Sequence, residues 1–173
     1  TKTRGNVVNP VDVIEQYGTD ALRFALITGS SPGNDSKLSP IKLEMGRNFA
    51  NKLWNATRFV LRSIEATGAA REIEWGSLQM EDRWILSRLS QTVSGVNKAM
   101  ADFQFAEAQR QIYDFLWSEF CDWYIELAKI RLRTTAEEVL MPLTVLVYVL
   151  ETSLRLIHPY MPFLTEELWQ NLK

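Results

Sequence analysis

EMGRNFANKLWNATRFVLRSI, from Glu44 to Ile64, is the stretch that decides the fold. At about 100° per residue it separates into two faces. Phe49, Ala50, Leu53, Trp54, Ala56, Thr57, Val60, Leu61 and Ile64 share one broad apolar side, which is expected to enter a core. Arg47, Asn48, Asn51, Lys52, Asn55, Arg58 and Arg62 share the other, which is rich in amides and guanidinium groups and has no carboxylate. Five basic residues stand against one acidic residue, Glu44, between Ile41 and Ile64, in a chain whose formal net charge is -2. Phe59 lies on the polar side, beside Asn48 and Asn55. An aromatic ring in such a stripe suits unpaired RNA bases, which stack on rings and hydrogen-bond through their edges. The same pattern also suits a Phe59 packed under a neighbouring helix with the charges solvated.

Working outward, Ser39-Pro40 supplies an N-cap and a first-turn proline, so this helix is expected to run from there to about Ala66. The forty residues before it hold Gly5, Pro10, Gly18, Gly29, Pro32, Gly33 and Pro40, which predicts short elements and turns. Asn9-Pro10 opens a short helix ending near Tyr17-Gly18, a second runs from Thr19 to about Thr28, and Val7-Val8 reads as a brief strand. Beyond a linker from Thr67 to Met80, long helical periods cover about Glu81 to Ala101, Phe105 to Thr134 and Ala136 to Ile157. Pro142 either kinks the last of these or marks its first turn, and Pro162 opens a final helix through Leu172. The expected fold is mainly α: a small α/β module over residues 1–40, then an antiparallel helix bundle over residues 41–173.

Composition narrows the function. The chain has 173 residues, 46% hydrophobic and 23% charged, which is globular and long enough to bury a core without staples. One cysteine, Cys121, rules out an internal disulfide and a cysteine-rich zinc site, and one histidine, His158, argues against a triad or a histidine metal cluster. The negative net charge makes a diffuse grip on polyanions unsuitable, so RNA binding has to be local. The longest apolar run, Val139 to Leu150, falls short of the roughly 20 residues of a membrane span. The polar start lacks the apolar run of a signal peptide. A soluble, cytoplasmic protein is expected, and the absence of an initiating methionine suggests a piece of something longer.

Three further candidates have plainer readings. Trp117 to Arg133 is apolar over most of its circumference and reads as a central bundle helix, with Ser118, Glu119, Asp122, Glu126, Lys129 and Arg133 on its remaining strip. Without a histidine beside it, Cys121 reads as a buried thiol. Glu166 and Glu167 read as carboxylates of the last helix's first turn, and His158 as a helix-end cap. The small basic segment Thr1 to Asn6 resembles a phosphate-binding loop only in composition, since it lacks P-loop spacing.

Several of these stretches together resemble one family. Thr1-Lys2-Thr3 followed by RGNVVNP is similar to the end of the KMSKS loop of class I aminoacyl-tRNA synthetases, and VDVIEQYGTDALRF (Val11 to Phe24) continues the likeness. PGND (Pro32 to Asp35), RNFANKLWNATRF (Arg47 to Phe59), WSEFCDWYIELAK (Trp117 to Lys129) and HPYMPFLTEELWQ (His158 to Gln170) resemble the valyl branch. The last motif is shared with isoleucyl and leucyl enzymes.

The resemblance implies a stem-contact module over 1–40 and an anticodon-binding bundle over 41–173. It implies a valine-specific tRNA as partner, with no DNA or membrane, in a chain expected to be monomeric. It makes Lys2 the counterpart of the catalytic KMSKS-loop lysine, which stabilises the triphosphate in a parent enzyme that uses ATP and magnesium. The motif's first lysine and methionine, the nucleotide-binding core, the HIGH motif and the editing domain are missing, so the fragment is expected to have no cofactor or metal and not to aminoacylate. On the RNA side it implies Asn55 and Arg58 as donors, Phe59 as the stacking surface, Cys121, Ile125 and Glu126 along the facing helix, and Asn48, Asn51 and Lys52 as further contacts. The competing expectations are the same region of an isoleucyl or leucyl relative, and a helical interaction module with no RNA role.

Overall fold

A computed structural model describes residues 8–30, 33, 37–68, 72–133 and 136–172. In chain order the helices are α1 (Pro10–Tyr17), α2 (Thr19–Ile27), α3 (Pro40–Thr67), α4 (Met80–Ala101), α5 (Phe105–Asp114), α6 (Ile125–Arg131), α7 (Ala136–Ile157) and α8 (Pro162–Leu172). A single 3-10 turn, Trp75–Ser77, precedes α4, and a wide-turn π segment, Phe115–Tyr124, joins α5 to α6.

The helix starts are chemical. The Asn9 side chain accepts from the Val11 N–H at 3.1 Å ahead of Pro10, and Ser39 Oγ accepts from the Lys42 N–H at 3.4 Å ahead of Pro40. At the start of α4 the Gln79 N–H donates to Asp82 Oδ2 at 3.0 Å. The α4–α5 break falls where expected, at Phe103, whose φ of 56° lets the Gln104 N–H close on Ala99 O at 2.8 Å.

The expected α/β character of the first forty residues is corrected. Among the described residues every regular element is helical. Val8 is exposed and belongs to no strand, while Val7 lies outside the described residues. A lone extended pair has no neighbour to satisfy its backbone groups, and Asn9-Pro10 nucleates a helix directly after it.

α2 is stitched onto the bundle at several points. A Cβ on Gly46 would stand 2.8 Å from Ala21 O, so glycine is what lets α3 approach the α2 backbone. Gln109 Nε2 donates to Phe24 O at 2.8 Å. Asp20 Oδ2 accepts from the Leu164 N–H at 2.6 Å and so serves the first turn of α8. That task was expected of Glu166 and Glu167, which instead sit exposed one turn further in. His158 lies just past the end of α7, with Nδ1 2.7 Å from Thr165 Oγ1.

α7 is the centre of the bundle. Leu143, Val145, Leu146, Val149, Leu150 and Ile157 are fully buried, and Pro142 lies inside the helix rather than at its start. Its apolar stretch, Val139–Ile157, spans 19 residues and is long and apolar enough for a membrane, so the sequence reading underestimated it; this length serves the interior of the bundle.

Asp82 has no solvent exposure and is bonded on every side. Besides the Gln79 N–H, it accepts from the Tyr124 hydroxyl at 2.7 Å and from Arg131 Nη1 at 2.7 and 2.8 Å. Arg131 also reaches Glu81 at 3.0 Å. Burial, with the Asp82 carboxylate against the hydroxyl, raises the Tyr124 pKa far above the usual phenol range.

α3 buries Leu43, Gly46, Phe49, Leu53, Ala56, Thr57 and Val60. Trp54 was expected in that set but is 40% exposed at the edge of the stripe, because the buried arc is narrower than the apolar one.

Two stability outcomes follow. Asp82→Ala leaves Arg131 without its buried partner and is expected to cost about 3–5 kcal/mol in urea unfolding, whereas Arg110→Ala at an exposed pair costs less than about 1 kcal/mol. Leu53→Ala is expected to cost about 2–5 kcal/mol, and Trp54→Ala clearly less in the same assay.

Candidate nucleic-acid interface

The polar face of α3 lies in the open along most of its length. Asn48, Asn51, Asn55, Arg58 and Arg62 are exposed, and none of them makes a side-chain hydrogen bond or ion pair among the described residues. Three amides and two guanidinium groups therefore keep their full donor and acceptor capacity. Arg47, at the start of the stripe, lies over the Tyr17 ring at 5.3 Å.

Phe59 is half-buried and packs against the main core, so part of its ring belongs to the interior. Lys129 from α6 stands over the ring, its Nζ 5.4 Å from the centroid, and is held there by Glu126 at 2.6 Å.

Lys52 is the exception on the α3 face. Its ammonium pairs with Asp122 Oδ1 at 2.5 Å and lies 4.0 Å above the Trp117 ring centroid. Trp117 is held in turn by a run of rings: Tyr113 stacks on it at 5.5 Å, Phe49 lies 4.8 Å from Tyr113, and Phe24 lies 5.3 Å from Phe49.

The seam between α3 and the π–α6 helix depends on the wide turns. In a π segment the hydrogen bond runs from i to i+5, so residues five apart come over one another. Trp117 and Asp122 are such a pair, and one lysine touches both. The Ile125 N–H still bonds back to Phe120 O before the ordinary helix resumes.

Cys121 and Ile125, which the resemblance places along the RNA crevice, are both buried. Their exposures are 9% and 5%, and both belong to the main hydrophobic cluster. The π phase turns Asp122 and Glu126 outward and these two side chains inward. Burial pushes the Cys121 thiol up to about 12, which keeps it protonated and unreactive near neutral pH. Lys2 lies outside the described residues. Among the described residues no group of three or more His, Cys, Asp or Glu could hold a metal ion.

The α3–α6 face thus gathers Asn48, Asn51, Lys52, Asn55, Arg58, Phe59 and Glu126. To these the structure adds Trp117, Asp122 and Lys129, which the sequence pattern placed only on a bundle helix. The Glu126–Lys129 spacing is visible in the sequence as an i,i+3 pair. The Lys52–Asp122 contact spans 70 positions and has no local signal.

Residues 82–173 match the family described as the anticodon-binding domain of tRNA ligase, and residues 1–39 match the class I tRNA synthetases of the I, L, M and V group. The valine–tRNA ligase of Dehalococcoides mccartyi strain CBDB1 is 59% identical over 174 residues, covering 100% of this chain and 19% of that protein. That of Symbiobacterium thermophilum is 51% identical over 179 residues, covering 99% and 19%. The chain therefore spans about a fifth of the length of the relatives it matches. Among solved structures, a leucyl-tRNA synthetase of Agrobacterium radiobacter K84 in a ternary complex with tRNA aligns with a TM-score of 0.71 at 20% identity, covering 99% of this chain and 20% of that one. The methionyl-tRNA synthetase of Mycobacterium tuberculosis aligns with a TM-score of 0.79 at 20% identity, covering 96% and 34%. At that identity the likeness concerns the fold alone. On the match over residues 82–173, the chain belongs to the family of anticodon-binding domains of tRNA ligases.

Proposed function

We propose that this chain grips the anticodon stem-loop of a valine tRNA, as one part of a valine–tRNA ligase. The observation that carries the reading is the unpartnered stripe Asn48, Asn51, Asn55 and Arg58 on the open face of α3, bordered by the Phe59 ring. Amides and guanidinium groups bond base edges, and an aromatic ring stacks an unpaired base; double-stranded RNA offers neither so readily. Glu126, exposed beside Phe59, is an acceptor for a base amine. Lys52 and Lys129 supply charge for the phosphates.

The division of labour is part of the same proposal. Residues 1–40 are read as the stem-contact part and residues 41–173 as the anticodon-binding part. The parent ligase is read as a cytoplasmic enzyme joining valine to its tRNA with ATP. Lys2 is the position read as reaching the triphosphate in the parent. The chain alone is accordingly read as inactive in aminoacylation.

The test is a titration of the chain with a valine anticodon stem-loop and with one carrying another anticodon, at low and moderate salt. Preference for the valine loop is expected, weakening steeply as salt rises. Phe59→Ala is expected to weaken binding by about 1–3 kcal/mol, the value of one stacked base. Preference for an isoleucine or leucine anticodon would reassign the tRNA. Binding to neither loop, or binding untouched by Phe59→Ala and Arg58→Ala together, would leave a helical module without an RNA role.

A further inference from the structure

The resting surface shows some of its positive charge and conceals the rest. Arg58 and Arg62 stand open on α3, with no carboxylate partner among the described residues. Lys52 and Lys129, which flank the same seam, are each held by a carboxylate of the facing helix and laid over an aromatic ring. The Lys52 arrangement is the tighter one: 2.5 Å to Asp122 and 4.0 Å to the Trp117 centroid, against 2.6 Å to Glu126 and 5.4 Å to the Phe59 centroid for Lys129.

We propose that Asp122 is an electrostatic brake on this surface, holding the Lys52 ammonium back from the phosphates of bound RNA. The proposal rests on the RNA-binding reading above and adds to it a residue that was assigned no role there.

The stability of the fold gives little reason for the pair. Asp122 is 50% exposed and Lys52 24%, and ion pairs so open to water contribute little to folding. At a nucleic-acid surface the same carboxylate has a large effect. It repels an approaching phosphate and competes with it for the ammonium. An RNA that meets only the charge of α3 must displace Asp122 and gains one phosphate contact in exchange for one lost ion pair. A loop that also stacks on Phe59 and bonds Asn51 and Asn55 has further binding energy with which to force that exchange. The penalty falls on both ligands alike, so it sets how tightly the surface holds RNA and leaves the choice of loop to the bases.

The geometry supports a fixed penalty rather than a fluctuating one. Trp117 ends a packed run of rings that begins at Phe24 in the core, so the platform under the ammonium does not shift. The π turn places Asp122 over Trp117, so carboxylate and ring hold Lys52 from two sides.

The test is Asp122→Asn, which keeps the side-chain shape and removes the charge. Binding of the valine anticodon stem-loop and of a loop with an unrelated anticodon is followed by fluorescence anisotropy over a salt series, with a thermal melt as folding control. Expected is a several-fold gain in affinity for both loops, with the ratio between them unchanged. The slope of log K against log salt should steepen by about 0.7–0.9, one further phosphate contact. In the free protein, acylation of Lys52, read by peptide mass spectrometry, should be faster in the variant. Adding Lys52→Ala to Asp122→Asn should erase the gain.

Unchanged affinities and an unchanged salt slope would overturn the proposal. So would weaker binding, which would make Asp122 a residue that presents Lys52 to RNA, and so would a gain that survives Lys52→Ala. The RNA reading fails separately, and takes the proposal with it, if the wild-type chain and Asp122→Asn both bind neither loop at low salt.

Discussion

A carboxylate sealed from water has to be bonded at both oxygens, and Asp82 meets that demand with three different parts of the chain. One bond belongs to its own helix start at Gln79, one to Tyr124 at the end of the π segment, and two to Arg131 at the end of α6. A group so placed sets geometry more than it adds net stability, because the energy of its bonds is offset by the cost of removing it from water. What it sets is the rotation of the π–α6 helix about its own axis. Tyr124 and Arg131 must face α4, and the opposite side of the same helix must then face α3. Asp122, Glu126 and Lys129 are turned to the seam as the other half of that constraint.

The π segment makes the constraint compatible with a continuous helix. Ten residues of wide turns, Phe115–Tyr124, shift the phase between α5 and α6 without a break in the chain. On one side they deliver Phe115, Leu116, Phe120 and Tyr124 to the core. On the other they bring Trp117 and Asp122 under one ammonium. Core packing and the chemistry of the α3 face are therefore two consequences of one irregularity. The aromatic run from Phe24 through Phe49 and Tyr113 to Trp117 links them physically, since the ring under Lys52 is packed, ring upon ring, against the ring that anchors α2.

The electrostatic character of the face follows from who lacks a partner as much as from who has one. The net charge of the chain is negative, yet the open side of α3 carries guanidinium and amide groups with nothing bonded to them among the described residues. Free donors at a surface are simply hydrated, so they cost the fold little and are available to a ligand. The paired lysines lie in the groove between helices, where the aromatic rings and the carboxylates both converge. A surface built this way presents planar, bidentate donors first and point charges second, an order suited to reading bases rather than gripping backbone.

How much of this was legible from the residues depends on how far apart the interacting groups lie in the chain. Asn9-Pro10, Ser39-Pro40 and Pro162 announce their helices because a cap and a preset φ act within a few positions. The polar stripe of α3 was legible for the same reason: one helix turn puts Asn51, Asn55 and Arg58 on one side whatever surrounds them. Trp54 was misplaced because a wheel gives direction but not the width of the neighbour it meets. The polar strip of Asp122 and Glu126 was legible on its helix, whereas the wide turns of Phe115–Tyr124 leave no mark in composition. The pairing of Lys52 with Asp122, the capping of α8 by Asp20, and the need for glycine at position 46 join residues that are remote in sequence. Local rules determine which segments become helices and which faces are apolar. Only the packed structure decides how those faces rotate against one another, since that rotation is set by the bonding of a buried charge and the fit of side chains from different helices.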